Sequence, residues 1–348
     1  MYILEVIKPM AENYIQLTSS EIASIWTSYM NNSMSIQFMN YMLSTVEDTE
    51  VRSIIEKGLN VSTEHLLHIT EVFNKENIPL PNGFSNSDVN LNAPRLFTDT
   101  FMITYLNHMA KAGMLGISGF LSMCARTDVR KIFKEVLHQT TDLYDESSEI
   151  LLKKGLYVRS PYIDYPRQKD FIDSKSYLSG LNPFTNKRPL NVIEISHLYL
   201  NIQTNMIGAK LSISFAQCSP RKEVQKLMLQ GKDISEKHVK IFTASLIDNN
   251  TQSPVPSDVS VTNSTAQVFS DKLIVFHQGL LTAAGTGNYA TAAAASQRSD
   301  LILNYERLSL EIAQYAKDLA YLMIQNEWLE QPPGTMDVEK LARQKNEN

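Results

Sequence analysis

Between Val51 and Val72, apolar and small residues return every three or four positions. Val51, Ile55, Gly58, Ser62, His65, Ile69 and Val72 fall on one stripe, with polar and charged residues filling most of the positions between them. That is the period of an α-helix with one buried face. The same reading predicts four long helices in the first part of the chain: Ser20 to Ser44, Asp48 to Asn77, Leu96 to Cys124 and Asp128 to Lys154. Thr127-Asp128 and Ser299-Asp300 carry side-chain oxygens suited to first-turn amides and predict N-caps, and Gly155 predicts a C-terminal cap.

The pattern then repeats. "LTSSEIASIW" from Leu17 realigns with "LNVIEISHLY" from Leu190, and the segment ending at His65 realigns with the one ending at His238, both 173 positions on. "CARTDVR" from Cys124 matches "SQRSDLI" from Ser296 at 172 positions, so the two registers differ by one residue. One four-helix unit has been duplicated.

Loop lengths constrain how each unit folds. Helices one and two, and helices three and four, are joined by a few residues, so each pair is antiparallel. Between helices two and three runs "IPLPNGFSNSDVNLNAPR", and the second unit has "NTQSPVPSDVSVTNS" in its place. A helix of about 28 residues is roughly 42 Å long, and an extended loop of about 18 residues spans at most roughly 60 Å. The loop can therefore return along the whole bundle, the crossover that defines a ferritin-like arrangement. The expected fold is all-α: a first ferritin-like four-helix bundle over 1–155, an ordered linker over 156–189, a second bundle over 190–331 and a loose polar tail over 332–348. The linker holds many Pro and aromatic residues and is expected to lie against both bundles.

Composition narrows the function. The chain has 348 residues, is 43% hydrophobic and carries a net charge of −5, which argues against nucleic acid as the main partner. Cys124 and Cys218 show no metal-ligand spacing, and the start of the chain is too short and interrupted for a signal peptide. No apolar run reaches the roughly 20 residues a membrane span needs. The expectation is a cytoplasmic or spore-associated protein without a membrane segment, with a protein partner or self-association.

Candidate chemistry centres on histidine. "STEHLLHITEVF" sets Glu64, His65 and His68 within one turn, but only His65 shares the inward stripe. The inner trio Gly58, Ser62 and His65 becomes Gly231, Ser235 and His238 in the second unit. Di-iron bundles place Glu-x-x-His there, whereas this chain has Ser-x-x-His twice. A literal Glu-x-x-His, Glu135 to His138, falls on the solvent side of helix four, whose inward residues are Val129, Phe133, Val136, Thr140 and Leu143. His108 shares a stripe with Phe97, Phe101, Tyr105 and Leu115, and His277 stands at the position of Tyr105. Each bundle thus carries one inward imidazole on helix two and one on helix three, able to form a hydrogen-bonded pair near Ser, Tyr or Asn or half of a metal site, and the expectation is satisfied core histidines rather than metal ligands. Helix one offers no inward carboxylate, since Tyr29, Ser33, Ile36 and Asn40 occupy that face. Nucleotide-binding and nucleophile-elbow motifs are absent. The small-residue run Gly279 to Ser296 predicts close helix packing or a groove for a partner.

"FNKENIPLP" (Phe73 to Pro81), "DVNLNAPRLFTD" (Asp88 to Asp99) and "RTDVR" (Arg126 to Arg130), on a duplicated frame, resemble the DUF3231 family of Bacillus-type bacteria, related to the spore coat protein F-like group. The second unit keeps only the frame. The resemblance implies two tandem ferritin-like bundles and a link to spores, and it assigns no catalytic residues. The resulting expectation is a non-enzymatic structural or interaction protein with no catalytic, cofactor-binding or metal residue assigned and no cofactor. The alternative is a ferritin-like metal protein or oxidase using His65, His108, His238 and His277.

Overall fold

Each helix begins and ends where its local chemistry allows. The computed structural model describes residues 15–182, 187–254 and 261–344. The start of the chain, read above as no signal peptide, lies outside these residues, as do short parts of the linker, second crossover and tail. The first half holds α1 (Ser19–Thr45), α2 (Thr49–Lys75), α3 (Asp99–Met123) and α4 (Thr127–Lys153). The second holds α5 (Val192–Cys218), α6 (Lys222–Ile247), α7 (Asp271–Ala295) and α8 (Ser299–Gln325). The tail carries a short exposed helix, α9 (Val338–Gln344), where a loose segment was expected.

Four helices end on a residue in the left-handed region: Asn77 (φ 55°), Gly155 (φ 67°), Asn250 (φ 54°) and Glu327 (φ 58°). In each case the next amide reaches back to a carbonyl of the last turn: Ile78 to Phe73, Leu156 to Leu151, Thr251 to Leu246 and Trp328 to Met323. Glycine and asparagine adopt this conformation readily, whereas a glutamate there is strained.

The N-caps differ from the sequence expectation. Arg126 and Arg298 occupy the cap positions of α4 and α8 with no side-chain cap bond, and Thr127 and Ser299 lie inside the first turn. The capping oxygens come from far along the chain. Glu21, 1% exposed, accepts the Ala125 and Arg126 amides at 3.0 and 2.6 Å while completing a capping box with Thr18. Glu194 does the same for Gln297 and Arg298, at 3.2 and 2.9 Å, and boxes with Asn191. Burial alone would raise both carboxyls, but the bonds they accept, and for Glu194 the Arg188 guanidinium, hold them below the ordinary value. Arg126 also pairs with Glu76 at 2.7 Å, so the start of α1, the end of α2 and the start of α4 are joined at one pole.

At the opposite pole Asp99 accepts the Glu47 and Asp48 amides at 3.2 and 3.0 Å. Thus α3 begins beside the start of α2, and the connection between them returns the length of the bundle, as the loop arithmetic required.

The two halves meet around an approximate two-fold axis. The crossovers pair antiparallel through Val89 with Phe269 and Phe97 with Val261. Shifting either bridge by the 172-residue offset generates the other, the reciprocity of an isologous interface. The bonds obey the same rule: Asn90 N–H to Val268 O at 2.7 Å, and Thr262 N–H to Leu96 O at 2.9 Å. Beneath these bridges one core runs through both halves. Phe38 stacks on Phe269 with centroids 4.9 Å apart, and packs against Phe97, Tyr105, Phe215 and His277. Separate apolar clusters fill the outer part of each half. Because α1 packs against its own bundle and, through Phe38, against the other half, its buried set spreads around the helix and includes Ser33, Met34, Gln37, Phe38, Met39, Tyr41 and Met42. Ile36 and Asn40 are only half-buried.

Among the described residues the linker touches the body near its two ends. Leu156 and Tyr157 pack on the shared core, and Arg188 lies over the Tyr177 ring at 3.9 Å while pairing with Glu194. Its middle stands in solvent, with Tyr162, Tyr165 and Phe171 84%, 90% and 89% exposed. Within the Gly279 to Ser296 run, Tyr289 and Ala292 are buried, while a Cβ at Gly279 or Gly287 would meet open space.

Two outcomes follow. Glu327→Gly should raise unfolding stability by about 1 kcal/mol by removing left-handed strain, read by chemical denaturation. At the axis, His277 Nε2 lies 2.9 Å from the Tyr105 hydroxyl, and burial lowers the imidazole to about 3. In the unfolded chain that histidine titrates near the ordinary ~6.5, so its neutral burial stabilises fully above that pH, and the contribution falls as pH drops toward the folded value. Between pH 7 and 5 the loss from His277 amounts to about 2 kcal/mol. His277→Phe should flatten the stability–pH profile over that range, and an unchanged slope would contradict the assignment.

Candidate functional site

The four histidines do not assemble as two pairs. His65 reaches Asn32, whose Nδ2 lies 3.0 Å from Nδ1, and its ring stands edge-on to Phe133. His277 crosses to Tyr105 of the other half. His238 Nδ1 lies 2.8 Å from the Tyr289 hydroxyl, which also accepts from Asn205 at 2.7 Å. Its Nε2 lies 3.3 Å from Glu311. That carboxylate was not foreseen, but it is also held by Lys237 at 2.7 Å. Among the described residues, no three of His, Cys, Asp or Glu are grouped to hold a metal ion. Burial lowers His65 to about 3 and His108 to about 4, and it lowers His238 against the pull of Glu311, so these rings are neutral near pH 7. His65 Nε2 and His277 Nδ1 are buried without a hydrogen bond.

Other sequence candidates separate. His138 faces solvent beside Asp142, and Glu135 is exposed. Leu115, expected on the His108 stripe, is 63% exposed, because the stripe leaves the core after Ala110. Both cysteines are buried and unpaired, and burial pushes Cys218 up to about 11 and also raises Cys124, so neither is an activated thiolate.

His108 instead lines a cavity of about 440 Å³ between the halves. Its walls come from α3, the end of α4, the start of the linker, α5, α6 and Pro254. Apolar residues such as Leu151, Leu156, Met206 and Val239 dominate. Thr104, Asn107, His108 and Lys111 contribute a polar stripe along α3. Asn107 is fixed by donating to Ser147 and Ser148 at 3.0 and 2.9 Å. Gln203 donates to Val158 O at 3.1 Å and pins the linker start as one wall. Lys111 Nζ stands 5.6 Å from the ring centres of Tyr144 and Tyr157, whose hydroxyls are 3.2 Å apart. An apolar concavity of this size with a few convergent polar groups is the usual form of a small-molecule site. Nothing local in the sequence marks it, because its walls come from separate segments spread from Thr104 to Pro254.

Among the described residues no helix is long and apolar enough to cross a membrane. No curated protein matches the chain. Among solved structures the chain is similar to a "putative spore coat protein" from Bacillus halodurans, at 16% identity and a TM-score of 0.39, over 43% of this chain and 98% of that one. A family model described as a protein of unknown function, DUF3231, matches residues 6–168 and again 178–341. With nearly its whole length matched by two copies of that unit, the chain belongs to the DUF3231 family.

Proposed function

We propose that this protein is a non-enzymatic interaction protein, a duplicated helical scaffold that works by binding, with the cavity between its halves as the binding site. The observation that carries this reading is the junction cavity itself: about 440 Å³, mainly apolar, with His108 and Lys111 turned to it from one helix. The other inward histidines support it, since His65, His238 and His277 are each engaged by an Asn or Tyr side chain. A protein partner or self-association belongs to the same reading and is supported by the solvent-facing linker aromatics Tyr162, Tyr165 and Phe171. The resemblance to a spore-coat-related group supports a place in the cytoplasm or the spore.

Native mass spectrometry of the untagged protein from its own cells tests the reading. The wild type should retain one small molecule per chain, and Ala209→Trp, which fills the cavity from α5, should retain none. Elemental analysis of the same sample should find well under one transition-metal ion per half. About one tightly held ion per half, lost on replacing His65 and His238, would establish the metal-protein alternative instead.

A further inference from the structure

Building on that binding-site reading, we infer that the cavity takes an amphiphile with a single anionic head, a carboxylate or phosphate monoester, on one apolar chain.

The charge around the cavity is the first reason. Lys111, Lys210 and Lys240 line it, and none has an ion pair among the described residues. The single acidic residue lining it, Glu236, is already paired with Lys232 at 3.1 Å. A chain of net charge −5 thus gathers three uncompensated cations at one apolar concavity. Lys111 is the most enclosed of them. It sits over two tyrosine rings rather than beside a carboxylate, and burial draws its ammonium below the ordinary lysine value. An ammonium held against apolar surface without an anion is costly, and an anion from the ligand offsets that cost.

The polar groups beside it are the second reason. Thr104, His108 and Lys111 follow one another on one face of α3 at helical spacing. Thr104 Oγ1 is buried with no hydrogen bond. His108 is 8% exposed, and its ring makes no hydrogen bond among the described residues. A head group at Lys111 would meet a hydroxyl and a neutral imidazole, both able to donate to its oxygens. Leu151, Leu156, Met206, Ile207 and Val239 would take the chain.

The internal repeat supplies the third reason. At the equivalent places in the second half stand Phe276, Leu280 and Ala283. There the first crossover inserts Phe84, its ring 4.9 Å from Phe276 and its amide 3.2 Å from Ser33 Oγ. The duplicated fold therefore does not need the polar stripe for packing; its counterpart is apolar, with Phe276 and Leu280 half-buried and Ala283 exposed.

Calorimetric titration of the delipidated full chain tests the inference, with dodecanoate, dodecyl phosphate, dodecanol and acetate as probes. One of the two anionic chains should bind once per chain, about tenfold or more tighter than dodecanol, as a charge-assisted contact implies, and the tighter one identifies the head. Acetate should not bind measurably. Lys111→Met should remove most of that advantage and leave dodecanol unchanged, Lys111→Arg should restore it, and unchanged melting should show that both variants fold. Equal binding of dodecanol and dodecanoate, both lost in Ala209→Trp, overturns the anionic class and leaves the cavity as the site. Binding that Ala209→Trp does not disturb overturns the cavity as the site, and this inference with it. No binding by any twelve-carbon probe overturns the amphiphile class, while a retained molecule in native mass spectrometry would still support the cavity.

Discussion

The aromatic contact across the approximate two-fold axis organises everything else. Phe38 of α1 lies against Phe269 and Phe215 of the other half, and the crossover ending at Phe97 is bonded to the crossover ending at Phe269. Each long loop, which alone would expose unpaired backbone, is held by its counterpart. The two halves consequently share one core and are not two beads on a string. That sharing also creates the concave seam where α3 of one half faces α5 and α6 of the other.

A second constraint concerns where acid can be buried. A carboxylate without partners is expensive inside a protein, so buried acids go where several donors converge. In each half the fourth helix begins without a side-chain cap of its own, and Glu21 and Glu194 accept the amides there. The bundle interiors keep neutral imidazoles with tyrosine, asparagine or aromatic neighbours. Glu311 reaches His238 from the α8 surface, where Lys237 balances it. The Arg-x-Asp motif reads the same way: Arg126 and Arg298 bind the acids at 128 and 300 and fasten the pole.

What was legible in the sequence was whatever a single helix decides. The α2 and α4 stripes read correctly because each has one buried face, and the loop arithmetic gave the crossover because reach is a local property. α1 resisted because it is covered by its own bundle and by the opposite half, leaving no clean stripe. The N-caps were misplaced because their oxygens lie about a hundred residues away. The partners of the inward imidazoles were hidden for the same reason: His277 finds Tyr105, its own counterpart in the other half, and not the histidine of its own bundle. One signal for the cavity was available. Aligning the repeats sets Lys111 against Ala283 and His108 against Leu280, charge and imidazole against apolar carbon on otherwise matching helices.

That mismatch shows what duplication makes possible. In a symmetric dimer of single units both seams are identical by construction, so a residue that opens one opens the other. Fusing two copies removes that identity. One seam can be covered by Phe84 and contribute to packing, while the other gains Thr104, His108 and Lys111 at no cost to its twin. An unpaired ammonium and an unbonded buried hydroxyl reduce stability, and a duplicated frame whose other seam is packed with Phe84 can tolerate that loss. The burden falls on one face of one helix, which is where a ligand that supplies the missing anion would recover it.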